Sequence, residues 1–427
     1  MIERPSFSAQ WRRQEESMAD FYQTGQVTTL HRMNPNGLNR LEGDLERFRT
    51  ALPIALVLPA LASEFETPAM QGIVRELSNV RYLQKIVVAL GRASREDYAR
   101  AQQLFRDFNV PATILWIDSD PIQGVFRLLE KNGISAGEDG KGRSCWMAYG
   151  YLLACADCEV IALHDCDILS YSRELLARLC YPVANPNLGF EFCKGYYARF
   201  TRTMHGRVTR LFVTPLIRAM GSLCPGVPFL NFIDSFRYPL AGEFAMRTNL
   251  ARVNRIPSDW GLEVGVLAEM YRNVAMSRIC QVDLADNYEH KHQQLSPDDP
   301  RKGLRRMASD IAKSLFRTIA SEGVSLTQDD FRTLQVRYVR MAEDTMHRYY
   351  ADAMLNGLEF DRHAEELAVA TFAKSLGEAA LEFLQNPLGL PLLPNWNRVL
   401  AAIPDCFDRL QQAVEADAAT SSEVCCA

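Results

Sequence analysis

From Leu52 onward the apolar positions of this chain switch between two periods. Short apolar runs at Leu52–Ala60 ("LPIALVLPA"), Lys85–Gly91 ("KIVVALG") and Pro111–Asp118 ("PATILWID") read as buried strands. Between and after them, Thr67–Val80, Ser94–Phe108 and Pro121–Gly133 carry apolar residues at helical spacing. A Gly-rich turn and the helical stretch Arg143–Ala156 then lead into another strand-like run within Glu159–Tyr171, "EVIALHDCDILSY". Such alternation predicts βαβ units around a mostly parallel sheet, and hence an α/β fold. The chain has no internal repeat.

Before and after this core the pattern is helical. Residues 7–49 predict a helical N-terminal segment over 1–50. Residues 187–295 mix strand-like pieces ("NLGFEFCKGYY", "RICQVDLADNY") with helices ("GRVTRLFVTPLIRAM", "GLEVGVLAEMYR"). From about Ser296 strand signals vanish. Apolar stripes in Lys302–Gly323, Thr327–Gly357 and Glu365–Gln385 predict an all-α C-terminal region over 296–427, packed on the core or on a second subunit. The expected core is therefore 51–295, with halves of about 51–170 and 171–295.

Composition narrows the class. A net charge of −5 and a pI near 5.9 argue against nucleic acid or an anionic membrane as the main partner. The longest apolar run, Ala51–Ala62, is too short to span a bilayer and holds two prolines, and Met1–Ser6 has no apolar signal core. A cytoplasmic location is the expectation. Many of the cysteines lie inside apolar segments (Cys145, Cys180, Cys193, Cys280) and read as reduced core thiols. Cys155-x-x-Cys158 with His164 and Cys166 does not suit zinc, because Cys155 closes a helical pattern while Cys166 ends a strand.

Candidate chemistry begins where the fourth strand-like run ends. Side chains at i and i+2 of a strand project to one side, so Asp165 and Asp167 would present two carboxylates to one point. Like charges that close suit a hard divalent ion carrying phosphate, although a solvated turn also fits the motif. Upstream, "DGKGRSCW" opens a helix, with Gly140 and Gly142 permitting close backbone approach and Lys141 supplying a point charge; a plain loop with one exposed lysine fits equally. Downstream, His290 and His292 follow a strand-like run, where they fit either a metal shell or a polar loop. "HGRVTR" starts a helix at Gly206, with Arg207, Thr209 and backbone amides able to grip a carboxylate or phosphate. Glu243 and Glu263 are acids beside glycine in apolar surroundings, and read evenly as paired or as site residues.

In this joint order, GKG, DxD, GRVT, PLAGE, G-x-E and the late His resemble the glucosyl-3-phosphoglycerate synthases, retaining glycosyltransferases of the GT-A fold, over roughly residues 52–295. The resemblance implies a metal-dependent transfer of glucose from a nucleotide diphosphate glucose, with UDP-glucose the expected donor, to 3-phosphoglycerate. It implies Mg²⁺ or Mn²⁺ on Asp167 and His290. It places Pro59, Ser63, Glu64, Gly140, Lys141, Asp165, Leu240, Ala241 and Gly242 on the donor side. The acceptor falls to Gly206, Arg207, Val208, Thr209 and His292, with Asp167, Glu263 and Arg207 catalytic. A homodimer is the expected assembly. The chain departs from the family after Pro59, where Ser63 or Glu64 must replace the usual acid, and at Gly91-Arg92, where the usual Asp is missing; His292 stands where Asn is common. Mannose transfer, direct glycosylation of glycerate, a sugar-nucleotide nucleotidyltransferase and a non-catalytic nucleotide-binding scaffold are the rival readings.

Overall fold

The computed structural model describes residues 23, 25–34, 36–289, 295–299 and 301–424. Its strands are β1 (Thr28–Leu30), β2 (Ile54–Leu61), β3 (Leu83–Gly91), β4 (Ala112–Trp116), β5 (Val160–Leu163), β6 (Phe192–Tyr197), β7 (Phe244–Arg247) and β8 (Ile279–Ala285). They form one sheet in the order β1-β8-β6-β7-β5-β2-β3-β4. All neighbours are parallel except β7, which runs antiparallel to both β5 and β6. The mostly parallel α/β reading therefore holds.

Both faces of the sheet are buried, as helix-covered parallel sheets require. Along β2, Ala55 and Val57 join one apolar cluster with Val87 and Leu163, while Ile54, Leu56 and Leu58 join the other with Ile86 and Val160. The first face is covered by helices Asp120–Lys131, Lys141–Cys155 and Thr214–Leu223, the second by Leu38–Phe48, Pro68–Leu77, Arg95–Leu104 and Arg173–Ala184.

The C-terminal helices extend the first cluster without a break. Gly303–Ser321, Gln328–Leu355 and Arg362–Gln385 pack against the π-helical turn Val208–Val213. Cys406–Val424 lies across the helices that begin at Asp120 and Lys141. Trp396 stacks on Trp146 with ring centroids 4.2 Å apart. Gly150 makes that stack possible, since a Cβ there would come within 2.1 Å of the Trp396 ring.

One expectation is corrected at the N-terminus. The helical segment predicted over 1–50 holds for Leu38–Phe48, but Thr28–Leu30 is a strand, paired with Cys280–Val282 at the sheet edge. The buried Gln281 side chain donates to the Thr29 hydroxyl at 2.9 Å and fixes that edge. Residues 7–22 of the same prediction lie outside the described residues, as do Cys425 and Cys426.

Candidate active site at a strand switch point

The chain builds β2, β3 and β4 outward in one direction, then places β5 on the opposite side of β2. In open α/β sheets that reversal leaves a crevice beyond the carboxyl ends of the two strands, where ligands bind. Here β5 stays paired only as far as Leu163 opposite Val57, whereas β2 continues to Leu61. Pro59 fits inside β2 for this reason. The carbonyls of Pro53 and Val57 accept from Glu159, Val160 and His164, so alternate residues of β2 point towards β5. The N–H that Pro59 lacks would face the side that β5 has already left.

Past Leu163 the alternation continues. His164 and Cys166 are buried, while Asp165 and Asp167 are half-buried on the opposite, open side. His164 has no hydrogen-bond partner on either ring nitrogen, and burial pushes its imidazole down to about 3, so it stays neutral beneath the loop. Burial, then the charges of Glu64, Asp165 and Asp167, holds the Cys166 thiol well above its usual range. The Glu64 carboxylate closes its own turn by accepting from the Leu61 N–H at 2.9 Å, and Ser63 is exposed.

Lys141 brings three predicted residues together. Its Nζ lies 2.6 Å from Asp165 and 3.1 Å from Glu263. Burial opposes the ammonium, yet the two carboxylates hold it well above its ordinary value. Gly242 closes over the same carboxylate, since a Cβ there would sit 2.3 Å from Asp165 Oδ2. Gly140 and Gly142 are needed for a reason the motif did not suggest. A Cβ on either would strike the backbone carbonyl of Ser258 or Pro257, at 2.7 and 2.1 Å, so these glycines let the loop close on its own protein.

The strand β8 leads back to the same point. The Leu169 N–H donates to the Glu289 carbonyl at 2.7 Å, and the Glu289 N–H donates to the Ser170 hydroxyl at 3.0 Å. The backbone just after the aspartates is thereby tied to the residue preceding His290. His290 and His292 themselves lie outside the described residues. Among the described residues no group of three His, Cys, Asp or Glu side chains could hold a metal ion.

Arg207 has a partner that sequence gave no means of finding. It ion-pairs with Glu365 at 3.0 Å, and Arg210 pairs with the same carboxylate at 2.8 Å. Val208 and Thr209 are buried in the π-helical turn. Gly206, at φ +72°, leaves room for the Tyr238 hydroxyl, which accepts from Arg199 at 2.9 Å. Tyr238 in turn accepts the Ala241 N–H at its carbonyl, at 3.1 Å, and so couples GRVT to the Leu240–Gly242 loop.

Two buried ionisable residues lie under that loop. Glu243 accepts from Tyr197 at 2.7 Å and from Tyr288; burial and then the charge of Asp165 raise its carboxyl, against the two hydroxyls. Glu243 therefore proves to be a paired acid. Lys194, inside β6, is fully buried and donates to the Ala241 carbonyl. Sequence reasoning passed over it, and the one available signal was a lysine set in the otherwise apolar and aromatic run "FCKGYY".

A mostly parallel sheet with acids at its switch point and a long all-helical flank is a GT-A-like α/β architecture. The chain belongs to the glucosyl-3-phosphoglycerate synthase family. It is 48% identical over 400 residues to the glucosyl-3-phosphoglycerate synthase of Persephonella marina, covering 94% of this chain and 99% of that one. It is 39% identical over 406 residues to that of Methanococcoides burtonii, covering 93% and 98%. No protein-family model matches the chain. Among solved structures, glucosyl-3-phosphoglycerate synthase from Mycobacterium tuberculosis, in complex with Mn²⁺, UDP-glucose and phosphoglyceric acid, shares the fold with a TM-score of 0.52 at 21% identity. That match covers 71% of this chain and 92% of that chain. None of the described helices is long and apolar enough to cross a membrane.

Proposed function

We propose that this protein transfers glucose from UDP-glucose to 3-phosphoglycerate with retention at the anomeric carbon, giving glucosyl-3-phosphoglycerate for the synthesis of a glucosylglycerate compatible solute. The observation that carries the reading is the convergence of Asp165, Lys141, Glu263 and Gly242 at the switch point. The near full-length relatives give the substrate class, and the printed ligands of the M. tuberculosis structure support UDP-glucose and phosphoglycerate.

The donor set suits a divalent ion. With Asp165 engaged by Lys141, Asp167 and His290 would hold Mg²⁺ or Mn²⁺, and half-buried carboxylate oxygens are the ligands such ions prefer. When bound, the ion neutralises pyrophosphate charge and makes the nucleotide a better leaving group. Lys141 adds a positive charge at the mouth of the crevice, and Glu263 accepts hydrogen bonds from the glucose hydroxyls. Arg207, exchanging Glu365 for an anionic acceptor, together with Gly206, Val208, Thr209 and His292, fixes the carboxylate and phosphate of 3-phosphoglycerate. The acceptor hydroxyl oxygen then bonds to the anomeric carbon from the face the nucleotide leaves. The bond from that carbon to the β-phosphate oxygen breaks with its electron pair on the phosphate, which takes the hydroxyl proton. On the base side Pro59, Ser63 and Glu64 line the nucleotide.

A panel of UDP-, GDP- and ADP-hexoses offered with 3-phosphoglycerate or glycerate, with and without Mg²⁺, tests the reading. Release of UDP and a retained α-linkage by NMR support it, whereas pyrophosphate release would replace it with a nucleotidyltransferase. Homodimerisation belongs to the same reading and is supported by the exposed Leu381 and Leu384 near the end of the helix Arg362–Gln385 and the exposed Leu388 just beyond it. A monomeric mass by light scattering at micromolar concentration would contradict it.

A further inference from the structure

A fully buried lysine is costly unless its ammonium is met by acceptors and opposite charge. Lys194 is buried to the last atom in β6, and burial pushes its ammonium down to about 8, against Glu263 and Glu243 and with Lys141 opposing them. Its Nζ donates to the carbonyl of Ala241 and lies 5.7 Å from the centre of the Phe244 ring. That carbonyl belongs to the peptide joining Ala241 to Gly242, the glycine pressed against Asp165.

Across a trans peptide the C=O and the following N–H point in opposite directions, and no cis peptide occurs among the described residues. Because Lys194 draws the Ala241 carbonyl inward, the Gly242 N–H is turned away from Lys194. We infer that Lys194 is a positioning residue which locks the Ala241–Gly242 peptide so that its N–H, and not its C=O, is presented to the hexose hydroxyls of the nucleotide donor. This rests on the proposed function, since it deepens the donor half of that site. Without the ammonium that hydrogen bond is lost, and a peptide flip would replace a hydrogen-bond donor with an acceptor at the sugar.

The selective signature is a separation of sugar from nucleotide. The full chain with Mn²⁺, wild type and Lys194→Met, is titrated calorimetrically with UDP and with UDP-glucose, in the absence of acceptor. UDP affinity is expected to stay within about twofold, while UDP-glucose affinity falls at least tenfold, on the scale of one lost hydrogen bond to a polar ligand. Equal affinity for UDP-glucose in the two proteins would overturn the inference. So would a parallel loss for both ligands, which is what general loosening of the sheet produces. Wild type binding neither ligand would overturn the functional reading and this inference with it, an outcome distinct from an unchanged variant. Should Lys194→Met not fold, Lys194→Arg serves: it keeps a cation but displaces it, and the same loss confined to UDP-glucose is expected, with no loss counting against the inference.

Discussion

The Leu169 N–H donates to the Glu289 carbonyl at 2.7 Å. Leu169 lies two residues after Asp167, and Glu289 immediately precedes His290. Residues more than a hundred positions apart in the chain are thus held at one spot by backbone, with no side chain required. Tyr288 reinforces the tie by stacking on Tyr197 at 3.7 Å and donating to Glu243. The backbone just after the aspartates and the residue just before His290 are therefore held together.

Lys141 stands between two acids, so its removal sets like charges against each other. Lys141→Met is expected to weaken UDP-glucose binding at least tenfold in calorimetry. An unchanged dissociation constant would show that Asp165 and Glu263 need no cation between them.

Glu365 is the shared partner of Arg207 and Arg210, and Arg210 is itself buried. Removing one member of a buried pair leaves an uncompensated charge, a loss of about 3–5 kcal/mol. Glu365→Ala is expected to lower urea stability on that scale. Arg207→Ala, by contrast, removes the half-exposed member, and should raise the 3-phosphoglycerate KM at least tenfold with the donor KM within twofold. Equal changes in both KM values would detach Arg207 from the acceptor.

The Trp146–Trp396 stack docks the C-terminal helices on the core, and Gly150 is the space it occupies. Gly150→Ala overfills that space. It is expected to cost about 1–3 kcal/mol in urea unfolding, even though alanine is the better helix former. A stabilised variant would mean the two rings are not seated on residue 150.

Ser119 donates to Asp417 at 2.6 Å, joining the last helix to the start of an inner one. Burial raises the Asp417 carboxyl above its ordinary 3.8, with Ser119 pulling it back in part. The folded state therefore holds this proton more tightly than the unfolded chain does. Its contribution to stability is full below about pH 3.8 and declines as pH rises through the raised value. Asp417→Asn keeps an acceptor for Ser119 without the charge. Melting temperatures from pH 4 to 7 should show the variant gaining on wild type as pH rises; a gap that narrows would reverse the sign of this account.

Much of the donor half was legible because each strand of the parallel sheet is a compact apolar run followed by an amphipathic helix. The motif residues Asp165, Lys141, Gly242 and Glu263, far apart in the chain, lie together at the switch point. The rest hid for identifiable reasons. β7 is four residues long, too short for alternation to register, and it enters the sheet antiparallel from the second half. β1 is three residues whose pairing is defined only by distant β8. The Arg207–Glu365 pair spans 158 positions. Lys194 reads as a surface residue by type, and only its burial beneath Ala241 reveals a role. Gly140 and Gly142 suggested a ligand cradle, yet the backbone that approaches them is that of Pro257 and Ser258.

In the proposed mechanism Asp167 and His290 share one divalent ion with the donor's diphosphate. Calorimetric titration of UDP into wild type, Asp167→Asn and His290→Ala, each with and without Mn²⁺, tests it most directly. The prediction is a Mn²⁺-dependent gain of at least tenfold in UDP affinity for wild type that is lost in both variants, with melting temperatures unchanged. A gain that survives in either variant would contradict it.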